Sequence, residues 1–514
     1  MQTQEVILNA VSKLVGTVKQ TLGAKGRTVL FNTEENKPYI TKDGVTVARH
    51  IASECNYENM AMTVLRESSV KTMMSAGDGT TSTLIIAEAI IKAGYELMNN
   101  GISYYDLSKA LDKAAEMLIN NIRMMALPAE ENPEVLKHVA SIAANDEYVG
   151  EYIYSIIQEI GIYGHIEVKA SYQSETKVVK TKGMRLHRGW FEGFMVNDTK
   201  EMTFTAHDSY VLIFNDTIRT MKDIISYIEY AIVNQGSSLV IFCNDISDIT
   251  LKQIKFFMEA TPSPICFVEN DGTGDRREIL LNDLAALTNG YIIDHDNDFD
   301  ITNLGKAATV KIDELYTSVT ASDPDNELIK AIVDDIKYRI ALNDSNDDLY
   351  LSPVEKKWYK KRLANLTGGV AVIHAGGSTE MEMKELKDRL DDAVLAVYSA
   401  IRDGVCIGGG YTYLHAQKAL IGSNKLENVL YNAIVEPFKQ LLINADLFKE
   451  HDKIKKKILS GYGYDLRNNK FMKEEDYKVY DSAGVLIDSV NNAIAASKSL
   501  LSVKSMVFDG IIHN

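Results

Sequence analysis

The apolar periodicity of this chain changes character twice, and that double change limits the possible architecture most. Over the first 125 residues the pattern is helical. Tyr57, Met60, Val64 and Leu65 recur at helix spacing, as do Leu84, Ile85, Ile90, Ile91 and Leu97. Between about Gly183 and Leu366 the texture becomes mixed. Short β-rich runs, Tyr210-Val211-Leu212-Ile213-Phe214 and Leu239-Val240-Ile241-Phe242-Cys243, alternate with helical patterns such as Ile218, Met221, Ile224, Ile225, Ile228 and Ile232. Such alternation predicts an α/β domain. A short strand follows at Val370–Ile373. A long helix starts at about Thr379, with Thr379 and Glu382 spaced as a capping box and Met383, Leu386, Leu390, Val394, Val397 and Ile401 as its apolar stripe. Gly404, Gly408, Gly409 and Gly410 end it, and the remainder to Asn514 again reads as helical. The expectation is a helical unit built from both chain ends, bracketing an inserted α/β unit. Gly183 and Gly369 sit near the two crossings and read either as a hinge or as ordinary turn glycines.

The length of 514 residues suits about three domains, and no 20–50-residue repeat makes it a solenoid. A formal charge of −16 argues against a nucleic-acid binder that neutralises phosphates and against docking on an anionic membrane. Cys55, Cys243, Cys266 and Cys406 form no CxxC pair, so four buried thiols in a reducing compartment are expected. Neither a secretory signal nor an apolar run of transmembrane length is visible, and a cytoplasmic location is expected.

Five segments could carry chemistry. In Ala76-Gly77-Asp78-Gly79-Thr80-Thr81-Ser82, glycines precede a helix N-terminus, where backbone N–H groups and hydroxyls can hold phosphate oxygens. Asp78 offers Mg²⁺ a hard oxygen. A plain glycine-rich N-cap is the alternative. Thr21-Leu22-Gly23-Ala24-Lys25-Gly26-Arg27 combines glycines, a hydroxyl and cations, but is no Walker A sequence. Around Asp43-Gly44, the alternation of Ile40, Val45 and Val47 reads as a hairpin. Asp392 falls off the apolar stripe of its helix and reads as a solvated surface residue. Gly408-Gly409-Gly410 lets backbone approach a ligand closely.

TLGAKGR, ITKDGVTVAR, AGDGTTS, GDRR, LTGGVAVI, TEMEMKELKDRLDDA and GVCIGGG occur in the order found in group I chaperonins. Over nearly its whole length the chain resembles the GroEL family. The resemblance implies a multidomain α fold with an inserted α/β domain: an equatorial domain (1–125 and 403–514), an intermediate domain (126–181 and 370–402) and an apical domain (182–369). It implies an ATP-dependent chaperone that binds non-native polypeptides, with ATP, Mg²⁺ and K⁺ as cofactors, a homo-oligomeric, heptameric ring, and a GroES-like co-chaperonin. By resemblance, Thr21, Leu22, Gly23, Ala24, Lys42, Asp78, Gly79, Thr80, Thr81, Ser82, Gly409 and Asp488 meet the nucleotide. Asp78 would hold the metal, and Asp392 with Asp43 would act on the attacking water. That raises Asp392 above its surface reading. Trp190, Phe194, Met195, Ile225, Ile228, Leu251 and Phe256 would bind client or co-chaperonin. A scaffold without turnover is the runner-up, and a small-molecule kinase the more distant one.

The chain departs from the family pattern at Ala24, at Ile142–Asp146, at Lys255, and in lacking a Gly-Gly-Met tail. These changes imply a divergent member, and a phage origin would fit that divergence. Residues 291–350 carry 14 acidic against 5 basic residues, which predicts an acidic face on the apical domain.

Overall fold

The computed structural model describes residues 3–32, 38–162, 164–171, 173–181, 183–234, 236–260, 264–323, 326–345, 352–368, 370–422, 424–508 and 511–513. The chain divides into two compact units. Met1–Ser155 joins Glu385–Asn514 in the first, and Ile156–Lys384 forms the second.

The first unit opens with α1 (Thr3–Val18), the hairpin β1 (Val29–Asn32) and β2 (Pro38–Thr41), α2 (Gly44–His50), α3 (Asn56–Ala76), α4 (Thr80–Asn99), α5 (Tyr104–Met125) and α6 (Val135–Ala143). Helix α7 (Glu147–Ile160) crosses into the second unit. There follow β3 (His165–Ala170), β4 (Lys177–Thr181), β5 (Gly183–Leu186), β6 (Phe204–Phe214), β7 (Thr217–Ile218), α8 (Ile225–Ile228), β8 (Leu239–Cys243), β9 (Asp245–Ile246) and α9 (Asp248–Ala260). Then come β10 (Ile265–Glu269), α10 (Asp275–Thr288), β11 (Ile292–Ile293), β12 (Gly305–Ile312), β13 (Thr317–Ala321), α11 (Glu327–Ser345), α12 (Pro353–Gly368) and β14 (Val370–Ala375). Helix α13 (Glu380–Asp403) leads back. The first unit closes with β15 (Val405–Ile407), α14 (Tyr411–Ala416), α15 (Asn428–Ala433), α16 (Glu436–Asn444), α17 (His451–Ile458), the hairpin β16 (Tyr462–Asp465) and β17 (Lys470–Lys473), β18 (Tyr480–Ser482), α18 (Ala483–Leu501), and the hairpin β19 (Met506–Phe508) and β20 (Ile511–His513).

The first core packs α1, α3, α4 and α18 through Ile7, Leu14, Met62, Leu65, Leu84, Ile90, Val490 and Ile494. Helix α4 is apolar nearly all round, as a central helix must be. The second core is the predicted α/β unit. Its main sheet runs β10-β8-β6-β12-β13-β5, with β6, β8 and β10 parallel and β12 antiparallel to both β6 and β13. The runs Tyr210–Phe214 and Leu239–Cys243 are buried throughout, which is why they lack polar alternation. Arg362 of α12 donates twice to Asp283 of α10, at 2.6 and 2.7 Å, a buried bidentate pair.

The long helix is as read. Thr379 Oγ1 accepts from Glu382 N–H at 3.1 Å, and the Glu382 carboxylate accepts from Ser378 N–H at 2.9 Å. Gly404 closes it at φ 87°.

Several expectations change. No hairpin turns at Asp43-Gly44; β2 ends at Thr41 and α2 begins at Gly44, so Val45 and Val47 are helical and Asp43 is an N-cap. The C-terminal part is not purely helical, since β16–β17 and β19–β20 interrupt it. Gly183 stands in strand β5 opposite Thr320, away from the division between the compact units, and Gly369 lies outside the described residues. Residues 346–350 of the acidic segment also lie outside them. Cys55 is half-buried; Cys243, Cys266 and Cys406 are buried and free. Among the described residues no helix is long and apolar enough to cross a membrane.

Candidate functional site

The site in the first unit grows from two left-handed glycines. Gly77 ends α3 at φ 74° and Gly79 begins α4 at φ 88°. Asp78 stands between them and accepts from Gly79 N–H at 2.5 Å. As N-cap, Gly79 has no side chain to satisfy the first N–H groups of α4, so these and the helix dipole face outward as an anion cradle. A Cβ on Gly79 would meet Ser489 Oγ at 2.5 Å, so the turn admits only glycine. Thr80 and Thr81 are buried in the first turn and Ser82 is half-buried. Thr83 Oγ1 donates back to Gly79 O at 2.9 Å, which stiffens the turn.

The other sequence motifs meet this turn. A Cβ on Gly44 would lie 2.2 Å from Thr81 Oγ1 and 3.4 Å from Val18, so α2 starts against both α4 and the end of α1. Asp43 caps α2, accepting from Val45 N–H at 3.2 Å and Thr46 N–H at 2.7 Å. After α1, Thr21 is buried and its hydroxyl donates to Val18 O at 2.9 Å. Leu22 is half-buried, Gly23 turns at φ 79°, and Ala24 is exposed. Asn444 of α16 fixes this loop by donating to Lys19 O and Leu22 O, each at 2.9 Å.

Asp392 is half-buried, not a solvated surface residue. The cause is Gly77. A Cβ there would come within 2.5 Å of Leu395 Cβ, 2.6 Å of Ala396 N and 2.8 Å of Asp392 O, so the end of α3 presses on the α13 backbone. Electrostatics records the convergence. Burial pushes the Asp78 carboxyl up to about 6, against the Gly79 N–H and with help from the Asp43 charge. Burial, then Asp43, then Asp78, raise Asp392 well above the carboxylate range. Lys42 is half-buried, and burial followed by the charges of Arg467 and Arg389 lowers it. A buried carboxyl raised by neighbouring carboxylates suits a cation.

Loop 408–410 joins β15 to α14. Gly409 has φ 64°, and a Cβ there would meet the Tyr477 hydroxyl at 2.5 Å; one on Gly408 would meet Asp481 Oδ1 at 2.8 Å. Asp488 lies on α18 and accepts from Ser75 Oγ at 2.7 Å. Asp481, missed in the sequence, borders the glycine loop. Burial and the Asp78 charge raise it to about 7. Its signal was legible: Asp481 directly precedes Ser482, which caps α18 by accepting from Gly484 N–H at 3.1 Å.

The family model of the TCP-1/cpn60 chaperonin family matches residues 14–510. This chain belongs to the TCP-1/cpn60 chaperonin family. Its fold is the chaperonin fold. The chain is similar to chaperonin gp146 from bacteriophage EL 2 (Pseudomonas aeruginosa), solved in presence of ATP-BeFx in two crystal forms. Form I matches at 19% identity over 98% of both chains, with a TM-score of 0.65. Form II matches at 20% identity over 98% of this chain and 97% of that one, with a TM-score of 0.71.

The second unit of this chaperonin holds the apolar candidates. On α9, Phe256 is 74% exposed and Ile249 72%, while Ile254 faces the core at 1%. Leu251, Ile225, Trp190 and Phe194 are half-buried. Trp190 Nε1 donates to Met202 O at 3.1 Å, and Lys255 Nζ lies 5.7 Å from the centre of the Phe194 ring. Met195 and Ile228 are both 1% exposed, so the expectation that they line an open surface is corrected. They belong to the core under the sheet. Ile249, not singled out in the sequence for this role, offers more apolar area than either.

Proposed function

We propose that this chaperonin is an ATP-driven folding machine of the group I type. The observation that carries the reading is the meeting of Asp43, Asp78 and Asp392 at the N-terminus of α4. Phosphoryl transfer to water needs positioning and charge stabilisation more than covalent chemistry, and this arrangement supplies both. The Thr80–Ser82 turn and the Thr21–Ala24 loop hold the phosphates, Lys42 adds a cation, and the Gly409 loop with Asp481 takes the nucleoside end in place of Asp488. Asp392 orients the attacking water, with Asp43 opposite.

The raised carboxyl of Asp78, and that of Asp392, which burial and the charges of Asp43 and Asp78 raise, fit Mg²⁺, with Asp78 as its ligand. No three His, Cys, Asp or Glu residues among the described ones form a metal cage. That is the pattern for an ion held by one carboxylate plus phosphates. Bound there, Mg²⁺ would neutralise phosphate charge.

We assign three domains: equatorial (1–125 and 403–514), intermediate (126–181 and 370–402) and apical (182–369). Asp392 then stands on the intermediate domain, and hydrolysis is coupled to that domain's movement. Exposed Phe256 and Ile249, with half-buried Leu251, Ile225, Trp190 and Phe194, form the apolar surface for non-native chains. The subunits assemble into a ring, with a GroES-like lid, in the cytoplasm. Refolding of a chemically denatured enzyme, followed by its recovered activity, tests the reading. Recovery should require ATP, and equal recovery with and without ATP would overturn it.

A further inference from the structure

The glycine loop has a polar neighbour that the nucleotide reading leaves unused, the hydroxyl of Tyr477. Tyr477 lies just before β18 and is 4% exposed. Its backbone N–H donates to Glu474 O at 3.1 Å. The ring rests on the backbone of β16: a Cβ on Gly463 would collide with Tyr477 Cγ and stand 2.7 Å from Tyr477 Cβ. The far end of the ring reaches the loop, where the hydroxyl lies 2.5 Å from the place a Cβ on Gly409 would take. Tyr477 is thus pinned by its ring and presents its hydroxyl to Gly409.

Asp481 meets the neighbouring residue of the same loop. A Cβ on Gly408 would stand 2.8 Å from Asp481 Oδ1 and 2.9 Å from Oδ2, so both carboxylate oxygens lie against that backbone. Main chain holds the arrangement. Cys406 of β15 pairs with Asp481 of β18, Ile407 pairs with Tyr480, and Gly408 N–H donates to Val479 O at 2.8 Å. The same segment is joined by contact to the phosphate cradle. Asp481 directly precedes Ser482, the N-cap of α18. In that helix Val485 Cγ1 lies 2.9 Å from the place a Cβ on Gly79 would take, and Ser489 Oγ donates to Gly79 O at 3.2 Å.

A phenol and a carboxylate on adjacent glycines match a vicinal diol. Each hydroxyl of such a diol can donate to a carboxylate oxygen and accept from a phenol. Burial, then the charges of Asp481 and Asp465, raise the Tyr477 phenol above its ordinary value, so it stays protonated and can donate. Glycines at 408 and 409 leave the loop backbone bare, which lets a sugar come close.

We propose that Tyr477 reads the ribose of the bound nucleotide: its hydroxyl donates to one ribose hydroxyl oxygen beside Asp481, which makes the site selective for ribonucleotides. The proposal rests on the nucleotide reading above and adds a specificity residue and a substrate class to it.

Calorimetric titration of the full-length protein tests it, with wild type and Tyr477→Phe each titrated with the Mg²⁺ complexes of ATP, 2′-deoxy-ATP and 3′-deoxy-ATP. Phenylalanine removes the hydroxyl alone and keeps the ring on Gly463. It should weaken ATP about three- to tenfold, the size of one net hydrogen bond. With one of the two deoxy analogues the loss should vanish, because the oxygen that the phenol would meet is already gone. Comparing ligands on the same two proteins separates a lost contact from a loosened loop, which would weaken all three alike. Equal weakening of all three, or no weakening of any, would overturn the proposal. A wild-type protein that binds no ATP would refute the nucleotide site itself, a different failure.

Discussion

Replacing Gly77 by alanine should damage turnover from a residue that touches no substrate. Alanine at φ 74° costs about 1–2 kcal/mol in the left-handed region. The new Cβ would stand 2.5 Å from Leu395 Cβ and 2.6 Å from Ala396 N. Reaching an ordinary contact of 3.4 Å requires α13 to move by about 0.9 Å. Backbone cannot yield as a side-chain tip can, and overpacking of this kind adds about 1–3 kcal/mol. The loss of stability should therefore be about 2–5 kcal/mol. Asp392 sits at the point of contact, so it moves with the helix. A displacement near 1 Å can cost about 10²-fold in rate. Steady-state phosphate release should fall by about that factor, while ATP binding falls far less, because the Thr80–Ser82 turn is kept. Urea unfolding reports the stability. A variant with unchanged turnover and an unchanged urea midpoint would refute the packing argument that places Asp392.

Four further outcomes follow from the structure. In metal- and nucleotide-free protein, Asp78 titrates near 6 when folded, above its ordinary value of 3.8, so its contribution to stability is full below about 4 and lost as pH rises through 6; Asp78→Asn should be more stable than wild type at pH 7.5 and less advantaged at pH 5, and an equal difference at both pH values would contradict this. Arg362→Met leaves Asp283 buried without its partner and should cost about 3–5 kcal/mol in urea unfolding. Leu251→Ser with Phe256→Ser should weaken capture of a denatured client and spare ATP turnover, whereas Met195→Ala should cost about 2–5 kcal/mol of stability, because its side chain is in the core.

Much of this was legible in the residues, and the gaps have physical causes. The stripe and cap of α13 announced that helix, because periodicity and capping are local. The continuous apolar runs of β6 and β8 announced a sheet covered on both faces. Asp43 is ambiguous in the sequence, because an Asx-Gly pair beside alternating apolar residues fits a hairpin and a helix N-cap equally well; only the hydrogen bonds from Val45 and Thr46 separate them. Met195 and Ile228 were expected at a surface, yet spacing along a chain does not reveal which face another element will cover. Asp488 is expected at the nucleotide by resemblance alone; that Asp481 borders the glycine loop depends on a contact with Gly408, more than seventy positions away in sequence. The contact between Tyr477 and Gly409 is similarly long in range and leaves no periodic trace.

The central claim is that Asp392 acts on the chemical step at a site whose binding parts lie elsewhere. The direct measurement is Asp392→Ala, with ATP affinity by equilibrium titration and phosphate release under single-turnover conditions on the same sample. Affinity should stay within a few-fold of wild type while the rate falls about 10²-fold or more, since removing a group that positions water spares ground-state binding. A variant that hydrolyses ATP at the wild-type rate would contradict the account.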